Sequence, residues 1–320
     1  MIRAAFVFAS CVLATVLHAQ QADLPAPPGQ LIDIGGRKLH AICTGQGLPT
    51  VVLEAGASSF AIDWTLVQRE IARTHRVCAY DRAGMGWSDP PGKDERSSSD
   101  LHRLLLAAKE PPPYVLVGAS RGGLMVRTYA LDHPDDVAGL VFVDPSSEDR
   151  LFTIVDGQMV KIASVTPEQI TKNAPREPVE VPRRKPQTGA PFDKLPPGLY
   201  RVRVLLDERL IASVPETVPA AVVGAAQESE RAYLARLLAS RAAATHPLGD
   251  RPAVVLSRGT DPNADREAAH AAIAALSTNW RHTVVADAGH AIHLFEPAAV
   301  VQAIRDVVQS VRTRTPLPRR

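Results

Sequence analysis

A serine between glycines, a distant histidine and two aspartates between them are the residues of this chain best suited to covalent chemistry. Ser120 lies in Gly118-Ala119-Ser120-Arg121-Gly122-Gly123, directly after apolar Tyr114-Val115-Leu116-Val117 and before a helical pattern. Gly-x-Ser-x-Gly between a strand and a helix forms a tight turn that strains the serine backbone and exposes its hydroxyl. The glycines two before and two after are needed because a Cβ at either would collide with the neighbouring strand and helix. At the helix amino terminus, backbone dipoles favour the negative charge that develops during attack on a carbonyl.

A serine hydroxyl needs a base. His290, in Ala286-Asp287-Ala288-Gly289-His290, follows the last apolar strand pattern, whereas His40, His75, His102, His133 and His246 fall in strands, helices or linkers. His293 could join His290 as a metal pair, but neither has an adjacent Glu nor a third ligand cluster, so neither metal nor cofactor is expected. Two aspartates could orient the imidazole: Asp144, in Val143-Asp144-Pro145, and Asp261, in Gly259-Thr260-Asp261-Pro262. Both keep the order Ser, Asp, His. Asp81, within Tyr80-Asp81-Arg82-Ala83-Gly84-Met85-Gly86, reads as turn chemistry instead.

These residues require a scaffold that presents several strand ends together. Continuous apolar runs at Thr50–Leu53, Arg76–Tyr80, Tyr114–Val117, Leu140–Val143, Ala253–Leu256 and Thr283–Ala286 alternate with helical patterns at Ile62–Thr74, Ser98–Lys109, Gly122–Asp132, Arg266–Leu276 and Ala298–Val311. Such alternation predicts an α/β fold with a mostly parallel central sheet and helices on both faces. Leu31–Ile34 and Arg37–Cys43, around Gly35-Gly36, predict a leading hairpin. From 145 to 247 the alternation stops: prolines accumulate, no buried strand is evident, and a helical run covers Ala225–Ala243. That segment is expected to be an inserted, mainly helical cap. Arg183-Arg184-Lys185 within it reads as a solvated loop.

The 320 residues are 45% hydrophobic and 22% charged, with a formal net charge of +2, which excludes a disordered chain and gives no sign of a nucleic-acid partner. Arg3 followed by apolar Ala4–Leu17 and small Ala19 predicts a secretory signal at 1–19, too short to span a bilayer. The α/β core is then expected at 20–144 and 248–312, with a disordered tail at 313–320 and a secreted or periplasmic location. Export would put Cys43 and Cys78 where they could pair; two ordinary buried thiols are the expectation.

The chain resembles the α/β-hydrolase superfamily through four motifs in order: Val51-Val52-Leu53-Glu54-Ala55-Gly56, Tyr80-Asp81-Arg82-Ala83-Gly84-Met85-Gly86-Trp87-Ser88, the turn at Ser120, and Gly289-His290. It departs where the family usually has His-Gly (Ala55-Gly56) and where many members have His before the serine (Ala119). The resemblance implies an oxyanion hole made by the backbone N–H groups of Ala57 and Arg121. It further implies a serine hydrolase acting on a small carboxylic ester, with Ser120 as nucleophile and His290 as base. Arg76–Gly84 resembles a branch that uses the earlier acid, so Asp144 is expected and Asp261 is the alternative. An aminopeptidase of this fold, with Glu228 or Glu230 of the cap holding the amine, and a ligand-binding receptor on the same scaffold are the other readings.

Overall fold

A computed structural model describes residues 24–91, 97–156, 158–161, 164–166, 168–169, 172 and 176–318. The expected signal segment lies outside the described residues. In chain order the first elements are β1 (Gln30–Asp33), β2 (Lys38–Thr44), β3 (Thr50–Glu54), α1 (Thr65–Ile71), β4 (Val77–Tyr80), α2 (Ser97–Ala107), β5 (Tyr114–Ala119), α3 (Arg121–Asp132) and β6 (Val137–Val143). The segment that follows contributes β7 (Phe152–Val155), β8 (Gln158–Lys161), β9 (Val179–Glu180), α4 (Pro197–Ser213), β10 (Thr217–Val218) and α5 (Ala220–Ala243). The chain then returns through β11 (Ala253–Arg258), α6 (Ala264–Ala274), β12 (Trp280–Val285), α7 (Ile292–Phe295) and α8 (Pro297–Thr313).

Eight strands form one sheet in the order β1-β2-β4-β3-β5-β6-β11-β12. The β1–β2 and β2–β4 pairings are antiparallel, and the rest are parallel. Alternation along the central strands sends successive side chains to opposite faces. Val51, Leu53, Val115, Val117, Val141 and Val143 pack against Trp64, Val67 and Ile71 near and on α1 and against Val300, Ile304 and Val307 of α8. Val52, Leu116, Leu140 and Phe142 pack on the other face, against Leu101, Leu104 and Leu105 of α2 and Val126 and Tyr129 of α3. Both faces are covered, which is why these strands read as unbroken apolar runs. The edge strand β12 differs, with Trp280 46% and Val284 52% exposed.

Among the described residues, 145–247 add no strand to this sheet; β7–β8 and β9–β10 are separate antiparallel pairs. Helix α4 was not expected from the sequence, because its buried positions are Arg203, Leu206 and Asp207 and so carry no apolar stripe. Arg203 anchors it to the core. The guanidinium lies 3.6 Å from the Phe192 ring centroid, donates to the Gln187 carbonyl at 3.0 Å, and faces Asp63 of the core at 3.4 Å. Burial pushes the Asp63 carboxyl up to about 6 despite that guanidinium. Helix α5 is tied down by Arg241, which shares buried Glu148 with Arg127 of α3.

Arg183, Arg184 and Lys185 lie in an exposed loop, as expected, but the loop is pinned to the cap: Arg184 makes a two-pronged pair with buried Asp207, and Arg183 donates to the Ile211 carbonyl. Two expectations are corrected. Residues 313–318 are not a loose tail, because Leu317 is buried and its N–H donates to Asn279 while Arg281 holds the Pro318 carbonyl. Cys43 and Cys78 are not free thiols. They face each other across the antiparallel β2–β4 pair, with Cα atoms 4.1 Å apart, and are joined in a disulfide.

Candidate active site

Strand β5 ends at Ala119 and α3 begins at Arg121, leaving Ser120 alone in the turn with φ 51° and ψ −121°. A Cβ on Gly118 would lie 2.5 Å from the Gly122 carbonyl oxygen, and one on Gly122 would lie 2.5 Å from that of Glu54. Only glycine fits at either place, so the strained serine is imposed by its surroundings. The Ser120 N–H donates to the Val143 carbonyl at 3.0 Å, and its own carbonyl accepts from Ser146 at 2.9 Å. Those bonds tie the serine turn to the two sides of Asp144.

Asp144 caps the end of β6 with a positive φ of 43°. Its N–H donates to the Leu256 carbonyl of β11, and its Oδ1 accepts from the Arg258 N–H at 3.1 Å. Its Oδ2 lies 2.5 Å from His290 Nδ1. Burial by itself would raise the Asp144 carboxyl, but the bonds from His290 and the Arg258 backbone bring it below its ordinary value. It is therefore a carboxylate acceptor that holds Nδ1–H and leaves Nε2 as the other ring nitrogen. The His290 side chain is half exposed, whereas Asp144 is buried.

Asp261, the alternative acid, is 82% exposed and lies near the guanidiniums of Arg258 and Arg266, at 3.6 and 3.8 Å. His293 is fully enclosed with its ring 4.5 Å from that of Trp64, and burial together with the nearby His290 pushes its pKa down to about 3. It is a neutral core residue. Asp81 makes turn and core bonds, accepting from the Ala61 N–H at 2.7 Å and pairing with His40 at 2.6 Å.

The sequence carried no sign of a hydrogen-bond chain behind Asp144. His270 Nε2 is 2.8 Å from the Pro145 carbonyl, Ser257 Oγ is 2.6 Å from His270 Nδ1, and His282 Nε2 is 2.7 Å from the same oxygen. A carbonyl only accepts, so His270 donates through Nε2 and its Nδ1 accepts from the Ser257 hydroxyl, which in turn accepts from His282. Burial lowers both imidazole pKa values, in keeping with neutral rings. No motif links these residues, because pairing of β11 with β12 and packing of α6 on both strands bring them together.

The turn after β3 faces Ser120. A Cβ on Gly56 would stand 3.4 Å from the Ser120 Cβ. Beside Ala57 opens a cavity of about 270 Å³, walled by Met85 of the core and by Val181, Leu210 and Ile211 of the cap. Glu228 and Glu230 lie on α5, but their side chains are outside the described residues. Glu148 and Asp207, buried carboxylates of the cap, are each taken up by arginines.

Residues 47–297 match the family model described as alpha/beta hydrolase fold. Among curated proteins, the chain is 37% identical over 129 residues to a probable transporter of Hormonema carpetanum, covering 37% of this chain and 18% of that protein. It is 32% identical over 136 residues to a 2-hydroxymuconate semialdehyde hydrolase of a Pseudomonas species, covering 40% and 47%. The chain thus spans less than half the length of either relative. Among solved structures, a thermophilic esterase of Thermogutta terrifontis aligns with a TM-score of 0.57 at 20% identity, over 89% of this chain and 99% of that one. That likeness is one of fold.

Proposed function

Because this chain belongs to the alpha/beta hydrolase fold family, we propose that it is a serine hydrolase that cleaves small carboxylic esters through an acyl-enzyme. The observation that carries the reading is the 2.5 Å contact between His290 Nδ1 and Asp144 on the sheet edge where Ser120 occupies its strained turn. In this mechanism the Ser120 hydroxyl attacks the ester carbonyl while His290 Nε2 removes its proton. Asp144 fixes the tautomer and stabilises the imidazolium. The carbonyl oxygen becomes an oxyanion and accepts hydrogen bonds from the N–H groups of Ala57 and Arg121. His290 then gives its proton to the leaving alkoxide, and water repeats the cycle on the acyl-enzyme. The cavity beside Ala57, with Leu210 and Ile211 in its wall, suits an apolar substituent of the ester.

An aminopeptidase would need a carboxylate left over to hold an amine, and arginine pairing of Glu148 and Asp207 speaks against those two. Export belongs to the same proposal: the Cys43–Cys78 bridge suits an oxidising compartment, as the apolar segment before Ala19 would require. The test is labelling with a fluorophosphonate probe combined with hydrolysis of p-nitrophenyl esters of increasing acyl length. Both should be lost in Ser120→Ala, and labelling that persists there rejects the assignment.

A further inference from the structure

Arg82 is absorbed by no step of this mechanism, yet its guanidinium grips three consecutive carbonyls of the turn that follows β3. Nη1 donates to the Ala55 carbonyl at 2.6 Å, and Nη2 donates to those of Gly56 at 2.5 Å and Ala57 at 3.3 Å. Nη1 also reaches Glu54 Oε1 at 2.5 Å, while the other Glu54 oxygen accepts from the Tyr80 hydroxyl. The Glu54 and Tyr80 side chains are buried, and Arg82 is 13% exposed, so the cation is held by a dedicated partner.

Peptide geometry gives this grip a direction. The Gly56–Ala57 bond is trans, and in a trans peptide the C=O and N–H point opposite ways. Pulling the Gly56 oxygen toward Arg82 therefore turns the Ala57 N–H away from Arg82. Gly56 itself packs on Ser120, and no acceptor among the described residues takes that N–H. A guanidinium on the oxygen of a peptide also draws electron density from its N–H, which makes that group a stronger donor. The carbonyls of Glu54 and Ala55 additionally touch the Gly122 position of the serine helix, so the turn and the nucleophile share one packing surface.

We infer that Arg82 is a positioning residue for the oxyanion hole, aiming and polarising the Ala57 N–H through the Gly56 carbonyl. The inference rests on the serine-hydrolase reading above. It also gives a role to Glu54, which neutralises the buried guanidinium just before the Ala55-Gly56 that stands where the family usually has His-Gly.

The test compares wild type, Arg82→Lys and Arg82→Ala, with melting temperature as a check on folding. A lysine ammonium can meet one carbonyl but not the planar array of three. With p-nitrophenyl acetate, kcat should fall about 10–100-fold in both variants with KM little changed, somewhat less than the ~10²–10³ for losing a donor outright. Inhibition by a trifluoromethyl ketone, whose adduct carries the oxyanion, should weaken by the same factor, and added guanidinium should restore part of the Arg82→Ala loss. Were Arg82→Ala to unfold, the paired kcat and inhibitor changes in Arg82→Lys would carry the test alone. Variants that keep wild-type kcat, or lose kcat without weakening the inhibitor, overturn the inference while Ser120-dependent labelling still stands. A wild type with no Ser120-dependent labelling or turnover overturns the hydrolase reading, and the role of Arg82 with it.

Discussion

Asp144 and His290 are 146 residues apart in the chain, and their side chains meet at 2.5 Å. The same aspartate accepts from the Arg258 N–H, and the residues flanking it bond to Ser120. The Asp144 side chain thus links the ends of β6 and β11 to the histidine loop, and the backbone around it holds the serine turn.

Replacing Asp144 with Asn keeps the shape but can hold His290 in the wrong tautomer. We expect a fall in kcat on the order of 10⁴-fold, as for the corresponding change in serine proteases. Asp261→Asn should cost little, since that carboxylate is exposed and lies beside arginines. Steady-state kinetics on both folded variants decides between them, and a reversed pattern moves the acid to Asp261.

The two histidines near the end of the chain should separate cleanly. His290→Ala is expected to lower kcat by several orders of magnitude. His293→Phe, which keeps a ring against Trp64, should leave kcat within a few-fold and act mainly on stability. Chelator treatment alongside the kinetics checks the metal alternative, which would require comparable losses at both positions and inhibition by chelator.

Gly122→Ala tests the turn itself. The added Cβ would stand 2.5 Å from the Glu54 carbonyl oxygen, so a rigid strand end or the serine turn must move. Overpacking of this kind costs about 1–3 kcal/mol. Denaturant unfolding should register that loss, and fluorophosphonate labelling of Ser120 should slow even in the folded fraction.

Cys43 and Cys78 should yield no free thiol when the chain lacking residues 1–19 is titrated under denaturing, non-reducing conditions. The bridge closes a separation of 35 residues, for which chain entropy gives a stabilisation of about 3–4 kcal/mol. Reductant should therefore lower the melting temperature by several degrees. Two free thiols would restore the expectation drawn from sequence.

Glu148 sets an acid limit on stability. Its burial would raise the carboxyl, but hydrogen bonds from Arg127 and both neighbouring guanidiniums draw it down to about 2 from 4.5. A depressed folded-state value means that the stabilisation, about 3 kcal/mol, is complete above pH 4.5 and is lost as pH falls toward 2. Melting curves from pH 6 to 2 should show the gap between wild type and Glu148→Gln narrowing across that window. A gap that stays constant with pH would remove Glu148 from the acid response.

The features legible before folding are those that short stretches of chain decide. Glycines at 118 and 122 around Ser120 specify the strained turn, because the collision they avoid is between residues a few places apart and the strand end beneath. Unbroken apolar runs specify strands covered on both faces, because a polar side chain buried on either face needs a partner. Tertiary structure decided the rest. Asp144 and Asp261 follow β6 and β11, which are neighbours in the sheet, so their local signals are equivalent. Only the docking of the His290 loop distinguishes them. Helix α4 was hidden because its inward residues, Arg203 and Asp207, are charged and satisfied by one another's surroundings. The grip of Arg82 on the 55–57 turn depends likewise on which strands lie side by side, and the Ser257–His270–His282 chain on that and on the helix packed against them. Strand adjacency is set by packing and hydrogen bonding over the whole sheet, and residues distant in the chain leave no local pattern of having met.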